Sequence, residues 1–384
     1  MEERRKLRTP CYVVQERKIR ENLEILKEIC DETGCRILLA QKAFSMYRLY
    51  PLIGEYLAGA TASGLYEARL AAEEMKGENH VFSPAYREDE IEEITELCDH
   101  IVFNSPAQLK KYAEAARKNG CGIGLRINPE CSTQEGHAIY DPCAPYSRLG
   151  TTLKNFEDGM TEEMTGWLDG LHFHTLCEQN SDDLVKTLDA VEEKFGTYLH
   201  RMKWLNFGGG HHITREDYDR ELLKKCIRRM KETYGVEIYL EPGEAVALNA
   251  GSLFTEVLEI IDNGMKIAVL DTSAACHMPD VLEMPYRPPL RGASDPADET
   301  AGEKKNVYRL AGPTCLAGDV IGDYMFKDPL KPGDRLEFLD MAIYTMVKTN
   351  TFNGMKLPDI VLEKESGEYE IVKKFGYEDF KMRL

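Results

Sequence analysis

Eight short β-rich runs recur through the first two thirds of the chain, and their rhythm constrains the fold more than any other feature. They are Arg36–Lys42, Gly59–Gly64, Val81–Tyr86, Ile101–Ser105, Gly122–Asn128, Gly170–Thr175, Trp204–Gly210 and Glu237–Gly243. Helix-period stretches lie between them, at 65–75, 107–120 and 215–235. The second opens on Ser105-Pro106, a hydroxyl N-cap followed by an N1 proline, and stops at Gly120. Strand–helix alternation with short connections predicts a parallel sheet, and eight repeats predict a closed (β/α)8 barrel. An open doubly wound sheet is the competing arrangement, because the run at 59–64 (GATASG) is weakly strand-like.

After about residue 252 the pattern changes. Runs such as FTEVLEIID, MKIAVLDTS and DRLEFLDM alternate or stay apolar, with turn chemistry such as Lys331-Pro332-Gly333-Asp334 between them. This predicts a mostly antiparallel β domain over 253–384, joined by residues 1–11, after a barrel domain over 12–252. The Pro-, Gly- and acid-rich stretch Arg287–Lys305 is expected to be an exposed loop. A formal charge of −18 argues against a nucleic-acid partner and suits a cationic ligand. No apolar run is long enough for a membrane helix, and the eleven cysteines include no CxxC pair. Free thiols in a reducing, cytoplasmic setting are therefore expected.

In a barrel the reactive groups sit at the C-terminal ends of the strands. Those ends supply Lys42, His174, Gly208-Gly209-Gly210 and Glu241-Pro242-Gly243. A lysine closing an apolar strand is either a snorkelling end residue or a desolvated amine suited to carbonyl chemistry. Three successive glycines are a tight turn, or a loop whose bare N–H groups approach a phosphate. A carboxylate fixed by a Pro-Gly turn ends a strand, or holds a ring-nitrogen proton. His172 and His174 share one side of a strand, and with His211 and His212 they admit a metal site, hence a barrel metallo-hydrolase. Cys315, in Ala311-Gly312-Pro313-Thr314-Cys315, is by default a structural thiol.

In this order, these positions resemble the fold-III pyridoxal-phosphate decarboxylases, the ornithine/diaminopimelate decarboxylase family. The likeness runs from Thr9-Pro10-Cys11-Tyr12-Val13-Val14 to Gly312-Pro313-Thr314-Cys315 and Phe352-Asn353-Gly354. It implies an alanine-racemase-like barrel, a C-terminal β domain and a homodimer with shared active sites. It also implies pyridoxal 5'-phosphate as cofactor, joined covalently to Lys42. His174 resembles the histidine stacked on the cofactor ring, and Arg126 an arginine behind it. Gly208–Gly210 resemble the phosphate loop, with Tyr344 the tyrosine on the phosphate. Glu241 resembles the carboxylate on the pyridine nitrogen, and Gly243 closes its motif. Cys315 resembles the proton donor delivered from the other subunit. Loss of CO2 from an α-amino acid leaves a carbanion that must be reprotonated, and a thiol does this by general acid catalysis.

Departures from the pattern bear on substrate. Glu244 stands where better-known members carry a phosphate-binding arginine, and Cys177 replaces a small hydroxylic residue. Leu316 replaces the acid that follows the donor cysteine in ornithine decarboxylases. Together with the run 271–288, these departures resemble the members that act on carboxylated polyamines. Such a substrate is a long polycation, so carboxylates should line its pocket. Glu283 and Asp319 are the first choices, with Asp280, Glu178 and Glu244 behind them. Ornithine, arginine and diaminopimelate stay open as rival substrates, as does a non-catalytic relative.

Overall fold

The computed structural model describes residues 6–134, 140–297 and 306–384. The chain divides into two compact units, one made of Met1–Arg20 with Ala247–Leu384 and the other of Glu21–Val246. The first strand, β1 (Cys11–Gln15), belongs to the discontinuous unit. The expected barrel boundaries at 12 and 252 therefore differ from this division at both ends.

The continuous unit is a closed eight-stranded barrel of β2 (Arg36–Ala40), β3 (Gly59–Ala62), β4 (Glu78–Phe82), β5 (His100–Phe103), β6 (Gly122–Arg126), β7 (Gly170–His172), β8 (Trp204–Asn206) and β9 (Glu237–Leu240). Every pairing is parallel, and β2 closes on β9 through Arg36↔Tyr239 and Ile37↔Leu240. A strand stands at each of the eight expected places, but β4 is shifted: it runs from Glu78 to Phe82, so only Val81 and Phe82 of the expected 81–86 lie in it. The weakly patterned β3 is present, with all four residues buried. The helix Pro106–Lys118 starts as read, with the Ser105 side chain accepting the Gln108 N–H at 3.3 Å. The helix Arg220–Tyr234 starts later than the expected 215. The Asp219 carboxylate caps the Leu222 N–H at 2.9 Å, and Gly235, at φ +70°, ends the helix in the left-handed conformation.

Glycines decide how the barrel interior fills. Trp204 packs with Leu38, Val102 and Tyr239 and stacks on His100 at 5.0 Å and 9°. A Cβ on Gly170 would lie 2.0 Å from the Trp204 ring, and one on Gly122 would lie 2.6 Å from His100. The bare strands β6 and β7 thus make room for two large rings contributed by β8 and β5. His80 packs on His100 with ring centroids 4.2 Å apart, and burial holds both imidazoles neutral, His80 pushed down to about 4 and His100 to about 3. Gly170→Ala should therefore overpack this layer and destabilise the protein by roughly 1–3 kcal/mol. A fall in the urea midpoint at unchanged slope checks it, and an unchanged midpoint counts against it.

The other unit is a mixed sheet. It contains β10 (Gly251–Asp262), β11 (Lys266–Leu270), β12 (Ala293–Ser294), β13 (Val307–Ala311), β14 (Val320–Phe326), β15 (Arg335–Leu339), β16 (Asp359–Glu363) and β17 (Tyr369–Lys373). Its order is β12-β14-β13-β11-β10-β1-β16-β17, with β15 also on β10. Only the β1–β16 and β11–β13 pairs are parallel, so the sheet is mostly antiparallel, as expected. Leu7, Cys11, Val13, Phe254 and Val361 form one of its buried clusters. Two one-turn helices, Ala274–His277 and Asp280–Glu283, interrupt what the sequence presents as strands alone. Within the expected loop 287–305, β12 pairs with β14, and residues 298–305 lie outside the described residues. Among the described residues no helix is long and apolar enough to cross a membrane.

Candidate active site

Lys42 follows β2 by two residues, and that strand end is tied to both neighbours. The Ala40 N–H donates to Pro242 O and the Gln41 N–H to Thr61 O, each at 3.2 Å. Tyr50 Oη donates to Gln41 Oε1 at 3.1 Å, so Gln41 faces inward and buried. The neighbouring Lys42 lines a cavity of about 270 Å³ shared with Ser63, Arg126, His172, His174 and Glu241. The surrounding protein, and next Arg126, push the Lys42 pKa down, while Glu241 opposes the shift. A lysine so placed holds more of its neutral, nucleophilic form than a surface lysine does.

Glu241 sits one residue past β9 and is buried. Burial alone would raise its pKa, but His172 and Asn206 outweigh that and hold it at about 2. Asn206 Nδ2 donates to Oε1 at 2.8 Å and His172 Nε2 faces Oε2 at 3.3 Å. Burial lowers the His172 pKa against the pull of Glu241, so the imidazole is a neutral donor to a fixed carboxylate. Arg126 is buried, donates to the His174 carbonyl at 3.0 Å and lies 4.6 Å over the Phe82 ring. Burial brings its pKa down to about 10 despite Glu241. His174 is kept neutral by burial and by Lys42 and Arg126, and its Nδ1 accepts the Gly209 N–H at 3.3 Å.

The glycine triplet adjoins this group. A Cβ at Gly208 would lie 2.4 Å from Phe173 O, and one at Gly210 would lie 2.0 Å from Leu176 O. Both have positive φ, +70° and +81°. Gly243 is constrained by space alone, its Cβ position falling 2.4 Å from that of Ala43. Of the acids expected to meet an amine, Glu178 is exposed and Glu244 faces His212 at 3.5 Å.

The remaining expected residues belong to the sheet unit. Cys315 is exposed, with its N–H on Asn353 Oδ1 at 3.3 Å. Asp319, expected at the polyamine, is buried. It accepts from Thr314 Oγ1 at 2.7 Å and from Ala275 N–H at 3.2 Å, so its carboxylate braces the segment bearing Cys315. Asp280 is buried, with Oδ2 accepting from Tyr286 Oη at 2.9 Å and Thr345 Oγ1 at 3.0 Å, while Oδ1 has no hydrogen-bond partner among the described residues. Glu283 is exposed and pairs with Lys348 at 2.6 Å. Tyr344 is half-buried at φ +51°.

Sequence reading left Asn206 unassigned, and saw His172 only as half of a metal motif. Asn206 carried a signal: a polar residue closing an apolar strand, one residue short of three glycines. The four histidines do not converge: His211 faces Phe207 O, and the others have the separate contacts given above. Among the described residues no group of three His, Cys, Asp or Glu side chains is placed to hold a metal ion.

Residues 11–342 match the family described as pyridoxal-dependent decarboxylase, C-terminal sheet domain. The chain belongs to the pyridoxal-dependent decarboxylases. It is therefore a carboxy-lyase by family, and its relatives span its length. It is 44% identical to the carboxynorspermidine/carboxyspermidine decarboxylase of Campylobacter jejuni, over 98% of this chain and 99% of the relative. It is 43% identical to the carboxyaminopropylagmatine decarboxylase of Synechocystis, over 98% and 96%. The solved Campylobacter jejuni carboxynorspermidine decarboxylase, complexed with norspermidine, superposes on this decarboxylase with a TM-score of 0.90 at 43% identity, covering 98% of this chain and 100% of that one.

Proposed function

We propose that this decarboxylase removes the carboxyl group from carboxynorspermidine and carboxyspermidine, giving norspermidine and spermidine, with pyridoxal 5'-phosphate as cofactor. The full-length 44% identity to the Campylobacter jejuni enzyme carries this reading. The donor set fits the cofactor: an amine with a lowered pKa and a fixed carboxylate line one cavity, together with the His174 ring. Pyridoxal phosphate, when bound, supplies the electron sink for the pair released with CO2. Lys42 holds its aldehyde carbon, Glu241 keeps a proton on the ring nitrogen, and His174 with Arg126 behind it packs the ring. Gly208–Gly210 and Tyr344 take the phosphoryl tail, and Gly243 lets the Glu241 turn close. Glu283, Asp280, Glu178 and Glu244 meet the amines, and Asp319 acts by shaping the Cys315 loop.

Cys315 delivers the proton to the α-carbon from the partner subunit of a cytoplasmic homodimer. Its exposure in the single chain, beside exposed Leu316 and Phe352, supports that assignment. Cys315→Ala should leave pyridoxal-phosphate affinity near normal while turnover falls about 10²–10⁴-fold or the product changes. Stopped assays with product analysis read both, and unchanged kinetics and product remove Cys315 as donor.

The Synechocystis relative, 43% identical, favours a second reading in which the distal group is a guanidinium. Side-by-side kcat/KM values for carboxynorspermidine, carboxyspermidine, carboxyaminopropylagmatine, diaminopimelate, ornithine and arginine decide between them. The first two should lead, within the roughly 10–200-fold that one methylene provides. A lead for any of the others transfers the assignment to that substrate.

A further inference from the structure

Asn206 closes β8, directly ahead of Phe207 and the glycine triplet, and its side chain is buried at 1% exposure. Both ends of its amide are used. Nδ2 donates to Glu241 Oε1 and Oδ1 accepts the Gly208 N–H, each at 2.8 Å. The network fixes this orientation, since a flipped amide would set NH2 against N–H and oxygen against carboxylate. The backbone repeats the connection, because the Glu241 N–H donates to Gly208 O at 2.8 Å. Gly208 sits at positive φ in a place where a Cβ would lie 2.4 Å from Phe173 O and 2.7 Å from His174 Cβ, so only glycine fits there. One residue on, the Gly209 N–H reaches His174 Nδ1 at 3.3 Å. A single buried amide therefore joins the carboxylate, the glycine loop and, through that loop, the imidazole.

We propose that Asn206 is a positioning residue for the decarboxylation, acting through Glu241 and Gly208. It aims the carboxylate and the glycine loop as one rigid piece. The two ends of the cofactor site, ring nitrogen and phosphoryl group, are thereby set by the same side chain. The inference rests on the proposed cofactor and on the role given to Glu241 above. Groups that hold a reactive residue in this way typically contribute about 10–100-fold when removed.

Two substitutions separate the two ends of the amide. Asn206→Asp keeps an acceptor for the Gly208 N–H but replaces the donor to Glu241 with a second carboxylate oxygen. Two buried carboxylates so close share a proton, so Glu241 is no longer a fixed anion. Asn206→Ala removes both contacts. Apo forms of the wild type and both variants are titrated with pyridoxal phosphate, and the absorbance of the bound cofactor is followed against pH alongside kcat, KM and thermal midpoint. For Asn206→Asp, affinity for pyridoxal phosphate should stay within about threefold, the absorbance–pH curve should move by about one unit or more, and kcat should fall about 10–100-fold with little change in KM. Asn206→Ala should also lose about tenfold or more in cofactor affinity.

An Asn206→Asp enzyme with the wild-type absorbance–pH curve and kcat overturns the inference. So does one whose kcat and affinity fall together with its thermal midpoint at an unmoved pH curve, which would mark a structural role alone. A wild-type chain that binds no pyridoxal phosphate sinks the proposed cofactor itself, and this inference with it, so the two failures are told apart.

Discussion

Lys42→Ala is expected to abolish the pyridoxyl label that borohydride fixes to the protein and to cut turnover by at least about 10³-fold. The amine is the one nucleophilic nitrogen among the residues named at the cavity whose pKa is lowered by burial while it still faces open space. His172 and His174 are neutral too, but His172 Nε2 faces Glu241 and His174 Nδ1 is occupied by the Gly209 N–H. Removing the amine leaves Glu241 and the glycine loop intact, so some non-covalent affinity for pyridoxal phosphate should remain. Peptide mapping after reduction places the label, in the wild type, on the peptide containing Ala40-Gln41-Lys42. A label that persists in Lys42→Ala at wild-type yield would transfer the covalent role to another lysine. The same measurement on the wild type bears on the whole mechanism, since a protein that takes no label has no use for an electron sink.

The barrel was legible because its strands are short, mostly apolar and bracketed by glycine or polar residues, so the period survives even at β3; β4, which opens on Glu78-Asn79-His80, was the one read out of place. The discontinuous unit was harder to read. β1 precedes the barrel in sequence, yet it pairs with residues near 254 and 360, and nothing local to Cys11–Gln15 signals partners so distant. β10 hides a similar problem: one twelve-residue strand serves β1 and β15 along one part and β11 along another, with an irregularity between Val257 and Glu259. At the site, strand-end position was enough to pick out Lys42, His174, Gly208–Gly210 and Glu241. It was not enough for His172 and Asn206, whose importance lies in contacts 69 and 35 residues away along the chain. Asp319 poses a different difficulty. A carboxylate four residues past Cys315 reads as a substrate contact, and in the fold its oxygens accept from the Thr314 hydroxyl in its own loop and from the Ala275 N–H, 44 residues away. Acidic side chains near a reactive group look alike in sequence whether they face a ligand or close a turn.

Glu241→Gln should separate charge from shape at the centre of the site. Glutamine can keep an acceptor near Asn206 Nδ2 and a similar volume, so the barrel end should stay closed and the borohydride-fixed label on Lys42 should persist. What disappears is the anion that would hold a proton on the ring nitrogen, and kcat should fall about 10²–10³-fold, the scale on which a fixed electrostatic partner acts. That pattern, label kept and turnover lost, is the reverse of the loss of both at Lys42. The same substitution has a second, independent signature in stability. The folded Glu241 value of about 2 lies below the ordinary 4.5, so folding favours the ionised form. Its contribution is fully present above about pH 4.5 and is lost as pH falls through about 2. Glutamine has no such proton to bind, so the variant's stability should fall less steeply across that window than the wild type's. Denaturant midpoints measured at several pH values between 5 and 2 give the comparison. Parallel curves for the two proteins would mean that His172 and Asn206 do not hold the carboxylate as an anion, and the ring-nitrogen role would lose its physical basis.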